Sequence, residues 1–379
     1  MLVWLASYPR SGNTFFRVLL KTLCGLSTYD FHEPFPPRRD FENFIGEASL
    51  GTPLPELARD TGTHIVKTHE MPQEDYPAIY LVRDGRDAVV SYARFLLNSG
   101  YDAGGQDFTG LLRRLIESSE SYGGWSGNVL AWRQRKTSTV MVRFDDLIAN
   151  PIDELRRATA AAGLSLAETG LRGPPTFEEL HKLDSKFFSK GRTGGWIDDM
   201  SPELHLLFWR RHGHAMRALG FHDQEPTAQE LAGKPLQAGE RLLFGIGQAG
   251  QVTLGAGWGE PEQWGVWSIQ PQASLHVSVG PHHNAPIQID LGYRSFIEGG
   301  RELEVTCLAE GRQLSSWTCR PATWRGVQRI VIPSNLSGAY GLLNLEFRIS
   351  EPRSPAELGL SSDTRQLGIG LESMQLTGP

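Results

Sequence analysis

The stretch YPRSGNT, residues 8–14, sets the permanent charge of Arg10 beside the hydroxyls of Ser11 and Thr14, with Gly12 and Asn13 between them. Apolar LVWLAS precedes it and FFRVLLKTL follows, the order of a strand, a turn and a helix. A turn of that kind directs several backbone N–H groups and the positive end of the helix dipole at one point, which suits an anion. The arginine and the hydroxyls add donors for phosphate oxygens. By itself the short pattern is equally compatible with an ordinary strand-to-helix turn. It lacks the first glycine and the lysine of the Walker pattern, so a standard ATPase or GTPase is not expected.

Three more stretches carry similar chemistry. In YLVRDGRDAVVSYARFL, Arg83 ends a strand and Ser91 lies on the helix that follows. In an open parallel sheet ligands bind at the carboxyl edge, and an arginine with a hydroxyl there suits a second phosphate. FFSKGRTGGW is a glycine-rich loop with Lys190, Gly191 and Arg192, cationic and otherwise typical of a surface loop. HIVKTHE ends a strand with Lys67 and His69, an imidazole able to take a proton near neutral pH. Taken alone that histidine reads as a strand-end side chain. Together the anion-friendly segments imply a nucleotide with phosphates at two places.

The elements that must position these residues alternate through about residue 222. LVWLAS, HIVKTHE, AIYLVR and TVMVRF are strand runs, each followed by a turn or a helical pattern, which predicts an α/β, P-loop-like parallel sheet flanked by helices. Asp84 is a fitting N-cap for the helix after AIYLVR, and Asn150 with Pro151 opens another. HDQEPTAQELAGKPLQAGE then reads as a linker. Beyond it come ASLHVSV, IQIDLG, ELEVTCL, VQRIVIP, LLNLEFRI and GIGLESMQL between turn residues, the pattern of an antiparallel β-sandwich. The expected domains are 1–222, a linker at 223–240, and an all-β domain at 241–379.

With 379 residues, 40% of them hydrophobic, the chain can bury two cores. A net charge of −6 gives no bulk attraction to nucleic acid or anionic membrane, so neither is an expected partner. Cys24, Cys307 and Cys319 match neither a zinc site nor a disulfide framework, and no metal is expected. MLVWLA reads as a strand rather than a leader, and no apolar run reaches membrane-spanning length, which gives a cytoplasmic expectation.

In this order the stretches resemble the sulfotransferases that use 3′-phosphoadenosine 5′-phosphosulfate (PAPS). YPRSGNT is similar to their 5′-phosphosulfate loop, usually Tyr-Pro-Lys-Ser-Gly-Thr-Thr, LVRDGRDAVVS to their 3′-phosphate segment and KGRTGGW to their late Lys-Gly loop. VRFDDLIANP and the Trp132 segment also fall in the family's order, so the resemblance covers about residues 1–222. It implies that Arg10, Ser11, Gly12, Asn13 and Thr14 bind the 5′-phosphosulfate and that Phe15 lies near the adenine. It assigns Arg83 and Ser91 to the 3′-phosphate and has Lys190, Gly191 and Arg192 close over it. VKTHE is similar to the family's Lys-Thr-His segment, which implies His69 as catalytic base and Lys67 at the transferring sulfuryl group. No metal is implied.

The chain departs from the family pattern at several places. Arg10 replaces the usual lysine, which keeps the charge but not a lysine-like proton donor. Ser189 stands where many relatives have arginine, Phe144 takes the place of a frequent tyrosine near the nucleotide, and Glu70 is a second candidate to orient His69 or act as base. Tyr101 and Trp125, in a glycine-rich stretch, suit a lid over the acceptor, and Trp258, Trp264 and Trp267 suit either sugar stacking or packing. The tail is similar to β-domains appended to bacterial enzymes of surface-polysaccharide assembly. The expected acceptor is therefore a hydroxyl on a cell-surface carbohydrate or its precursor, with the β-domain aiding recognition or forming a homo-oligomer. Sulfation of a small hydroxylated metabolite or lipid is the alternative. A non-catalytic glycan-binding protein with a degenerate nucleotide fold is the competing class.

Overall fold

Strand β1 (Leu2–Ser7) is buried at every position, as a strand inside a parallel sheet covered on both faces requires. The computed structural model describes residues 1–31, 47–49, 53–99, 105–118, 122–137, 139–167, 178–179, 182, 193–232, 234–279, 286–298, 300–334, 336 and 342–377. By contact these divide into a first unit, Met1–Leu115 with Ser121–Ser201, and a second, Ile116–Glu120 with Pro202–Pro379. No helix among the described residues is long and apolar enough to cross a membrane.

In the first unit, β1 joins β2 (Thr28–Asp30), β3 (Glu47–Ser49), β4 (His64–Thr68), β5 (Ala78–Val82) and β6 (Thr139–Arg143). Their order is β3-β2-β4-β1-β5-β6, and every pairing is parallel, so all carboxyl ends share one edge. The four expected strand runs are present. β2 and β3, three residues each, were not expected, because so short a run shows no period.

The helices are α1 (Asn13–Cys24), α2 (Leu54–Arg59), α3 (Gly85–Asn98), α4 (Phe108–Glu117), α5 (Gly124–Arg133), α6 (Phe144–Ala149), α7 (Pro151–Ala161), α8 (Pro202–Ala218) and α9 (Ala228–Ala232). Phe16, Leu19, Leu20 and Leu23 of α1 share a core with Val3, Leu5, Ile65, Ile79 and Leu81 of the sheet and Leu155 and Ala158 of α7. Phe15 packs against that core too, while Asp84 caps α3 by accepting from Arg86 N.

Among the described residues, the second unit holds two antiparallel sheets. One runs β13 (Arg325–Ile332), β10 (Ile287–Ser295), β15 (Ile369–Leu376), β7 (Arg241–Leu243), with β8 (Val266–Trp267) also on β15. The other runs β12 (Arg312–Cys319), β11 (Leu303–Ala309), β14 (Leu342–Ile349), β9 (Gln272–Ser278). Leu275, Ile289, Leu291, Val305, Ile330, Phe347 and Leu371 meet in its core, the inward half of each alternating strand. Contacts assign α8 to this unit: Arg211 Nη1 donates to Gly255 O at 3.1 Å, and His276 Nε2 donates to Arg210 O at 3.1 Å.

The tryptophans weighed for sugar stacking are used in packing. Trp258 is a core residue with its indole N–H on Ser274 O at 2.7 Å. Trp264 lies against Gly370, under the Arg294 guanidinium at 3.7 Å, and edge-on to Trp267 at 4.9 Å. Trp125 is likewise buried, and Tyr101 lies outside the described residues. Cys307 and Cys319 are buried free thiols, opposite Ser315 and Leu303 across the β11–β12 pair.

The β1–α1 turn contains two left-handed residues, Arg10 at φ 67° and Gly12 at φ 100°. A Cβ on Gly12 would stand 2.7 Å from Phe144 Cδ2. Gly12→Ala is therefore expected to destabilise the protein by about 1–3 kcal/mol, since a left-handed non-glycine residue alone costs of that order. Thermal unfolding checks it: a melting temperature lower by several degrees is expected, and an unchanged one would contradict the packing of this turn.

Candidate active site

The turn makes a concave row of backbone N–H groups. The first intrahelical bond of α1 runs from Phe16 N to Gly12 O at 3.1 Å, so the amides of Asn13, Thr14 and Phe15 precede any intrahelical acceptor. Alternation of left-handed and ordinary backbone conformation is the geometry of an anion nest. The Ser11 hydroxyl is 1% exposed and has no hydrogen-bond partner among the described residues. A buried hydroxyl in that condition is costly unless a ligand oxygen meets it, so the cradle fits a phosphate or sulfate group. Asn13 also ties the turn to β1, because its Nδ2 donates to Leu5 O at 3.0 Å and to Ser7 Oγ at 3.3 Å.

Arg10, distant in sequence from Arg83 and Ser91, joins them in one cluster. Arg10 Nε donates to Ser91 Oγ at 3.2 Å, and its guanidinium stacks over Phe95 at 5.1 Å. Arg83 Nη1 donates to Arg10 O at 3.2 Å and stacks on Phe144 at 4.5 Å. Phe144 thus supports both the arginine and the underside of Gly12, which accounts for a ring without a hydroxyl at this place. Burial pushes the Arg83 guanidinium below its ordinary range, and the carboxylates of Asp87 and Asp145 act the other way.

Lys190, Gly191 and Arg192 lie outside the described residues. The residues after them are anchored to α3: Asp87 accepts from Gly194 N at 2.8 Å and Trp196 N at 2.9 Å, while Arg86 stacks on Trp196 at 4.1 Å. Burial raises the Asp87 carboxyl; Arg83 and these two N–H groups oppose that shift.

His69 sits at the carboxyl end of β4, with Nδ1 2.7 Å from Ser7 O and 3.3 Å from Ser7 Oγ. A carbonyl only accepts, so Nδ1 carries the hydrogen and Nε2 carries the lone pair of the neutral ring. The ring meets Tyr122 edge-on at 5.7 Å. Buried Asn128 holds this corner, its Nδ2 donating to His69 O and to Tyr122 O, each at 2.9 Å. Its Oδ1 accepts from Tyr80 OH at 2.7 Å, and Tyr80 OH accepts from Tyr8 N at 3.2 Å. Glu70 is fixed through its backbone, its N–H on Thr68 Oγ1 and its carbonyl on the Trp132 indole at 2.9 Å.

Lys67 lies on β4 two residues before His69, and its ammonium meets both oxygens of Asp30, at 3.2 and 3.1 Å. Asp30, Ser7, Asn128 and Tyr122 were not among the expected site residues. They are common types with no local pattern, and only sheet order brings them to the site.

The sulfotransferase domain family matches residues 2–220. Sulfotransferase 1A1 of Rattus norvegicus is 26% identical over 251 residues, covering 57% of this chain and 85% of its own length. The WSCD family member GA21586 of Drosophila pseudoobscura pseudoobscura is 30% identical over 182 residues, covering 45% of this chain and 54% of its own. Among solved structures, mouse sulfotransferase SULT7A1 complexed with PAP is similar at TM-score 0.44 and 19% identity, covering 57% of this chain and 86% of that one. The family match spans the turn at Arg10, the base candidate His69 and the Arg83–Ser91 segment, and the chain belongs to the sulfotransferase domain family.

Proposed function

We propose that this sulfotransferase moves the sulfuryl group of PAPS to a hydroxyl of a carbohydrate, on a bacterial cell-surface glycan or its precursor, with His69 as base. The observation that carries the chemistry is the bond from His69 Nδ1 to Ser7 O at 2.7 Å, which puts the lone pair of the neutral ring on Nε2, the atom that takes the acceptor's proton. The carbohydrate reading draws on the appended β-sandwich. A small hydroxylated aromatic acceptor is the second reading, favoured by the Tyr122 ring against His69.

When bound, PAPS supplies an activated sulfuryl group on a phosphate leaving group. The chain's own part is orientation, proton transfer and charge stabilisation. The Ser11 hydroxyl, without a partner among the described residues, and the first-turn amides of α1 hold the 5′ end. Arg83 and Ser91 hold the 3′-phosphate, with Lys190, Gly191 and Arg192 assigned to the same group. As the acceptor oxygen attacks in line, Nε2 of His69 removes its proton. The negative charge that grows on the leaving phosphate meets Arg10, Lys67 and the helix dipole of α1.

His69→Ala is expected to lower turnover by about 10² to 10⁴, the usual worth of one general base, with affinity for 3′-phosphoadenosine 5′-phosphate (PAP) unchanged. Unchanged turnover would move the base role to Glu70. A labelled-sulfate screen over glycans, lipids and phenols tests the acceptor. Incorporation into glycan is expected; label found only in phenols or lipids would overturn the carbohydrate reading.

A further inference from the structure

β2 lies beside β4 in the register Asp30 to Lys67, so these two side chains leave the same face at the carboxyl edge. The Asp30 carboxylate is 6% exposed and serves two cations, Lys67 Nζ through both oxygens and Arg17 Nη1 at 3.7 Å. Arg17, 3% exposed, is held in turn by Thr28, whose Oγ1 accepts from Nε at 2.7 Å. Burial keeps water from screening these charges. The lysine side chain is long and freely rotating, and its ammonium has three N–H donors. Two contacts to a rigid carboxylate fix the direction of the third donor.

Lys67 is on β4 and His69 directly follows that strand's last residue, so the two lie at the same carboxyl edge of the sheet. An ammonium that stabilises a transferring group must be held in place before the charge develops, because a mobile one loses much of the effect to reorganisation. We propose that Asp30 is a positioning residue for the sulfuryl transfer: it holds Lys67 so that the ammonium's remaining N–H faces the transferred group. Arg17 and Thr28 anchor the carboxylate. This rests on the reading of Lys67 as the group that faces the sulfuryl.

A double-mutant cycle separates positioning from general support of the fold. Asp30→Asn, Lys67→Ala and the double variant are compared with the wild type in affinity for PAPS and for PAP. Single-turnover PAPS consumption is followed with water and p-nitrophenol as probe acceptors. Asp30→Asn is expected to weaken PAPS relative to PAP and to slow consumption, by about tenfold, the scale of one charge-assisted hydrogen bond. PAP affinity should stay within about twofold, because PAP lacks the sulfuryl group that Lys67 faces. In the Lys67→Ala background the Asp30 change should add nothing, and Asp30→Glu should restore part of the loss. If Asp30→Asn fails to fold, Asp30→Glu carries the same cycle, since it keeps a charge opposite Arg17 while displacing the oxygens. An Asp30 effect undiminished in the Lys67→Ala background would overturn the proposal, as would wild-type behaviour of Asp30→Asn beside a defective Lys67→Ala. Wild-type behaviour of Lys67→Ala would overturn the reading of Lys67 itself.

Discussion

The hydrogen bond from His69 Nδ1 to the Ser7 carbonyl couples two parts of the site that are distant in sequence. Ser7 ends β1, and the chain turns directly from it into the anion cradle at Arg10–Thr14. The imidazole and the cradle are therefore referenced to one strand end rather than to separate loops. The Ser7 hydroxyl adds to this, standing within hydrogen-bond distance of both Asn13 Nδ2 and His69 Nδ1. A shift of β1 against β4 by one residue would put His69 on the opposite face of the sheet from the turn at Arg10–Thr14. Burial of β1 on both faces, between β4 and β5, opposes such a shift.

Strain and unsatisfied donors gather at the same place. Arg10 holds a left-handed conformation that costs about 1–3 kcal/mol for a non-glycine residue, and Ser11 buries a hydroxyl with no partner among the described residues. Packing elsewhere compensates: the apolar stripe of α1 on Val3, Leu5 and Ile65, and Phe144 wedged between Gly12 and Arg83. Both unfavourable features become useful once an anion enters, since the nest then has a guest and the hydroxyl an acceptor.

Much of this was legible in the sequence because chemistry and spacing were local. Arg10 to Thr14 are contiguous, Arg83 and Ser91 share one strand–helix unit, and β1, β4, β5 and β6 are strands of five or six residues, each with an apolar centre. What stayed hidden depends on sheet order. Arg10 meets Ser91 across 81 residues and Lys67 meets Asp30 across 37, and no periodicity announces either pair. β12, RQLSSWTC, escaped because its partly buried, polar-rich run lacks clean alternation. Trp264 read equally as a stacking or a packing residue in the sequence; in the fold, Gly370 lets it lie against the sheet under Arg294.

The central claim is that the turn at Arg10–Thr14 cradles the 5′ group of a nucleotide whose 3′-phosphate is held by Arg83 and Ser91. Calorimetric titration of the purified chain with PAP and with ATP tests it most directly, because only PAP carries the 3′-phosphate. Tight binding of PAP, weaker binding of ATP, and loss of that preference in Arg83→Ala are the expected results. Tight binding of ATP alone, or of neither nucleotide, would contradict the claim.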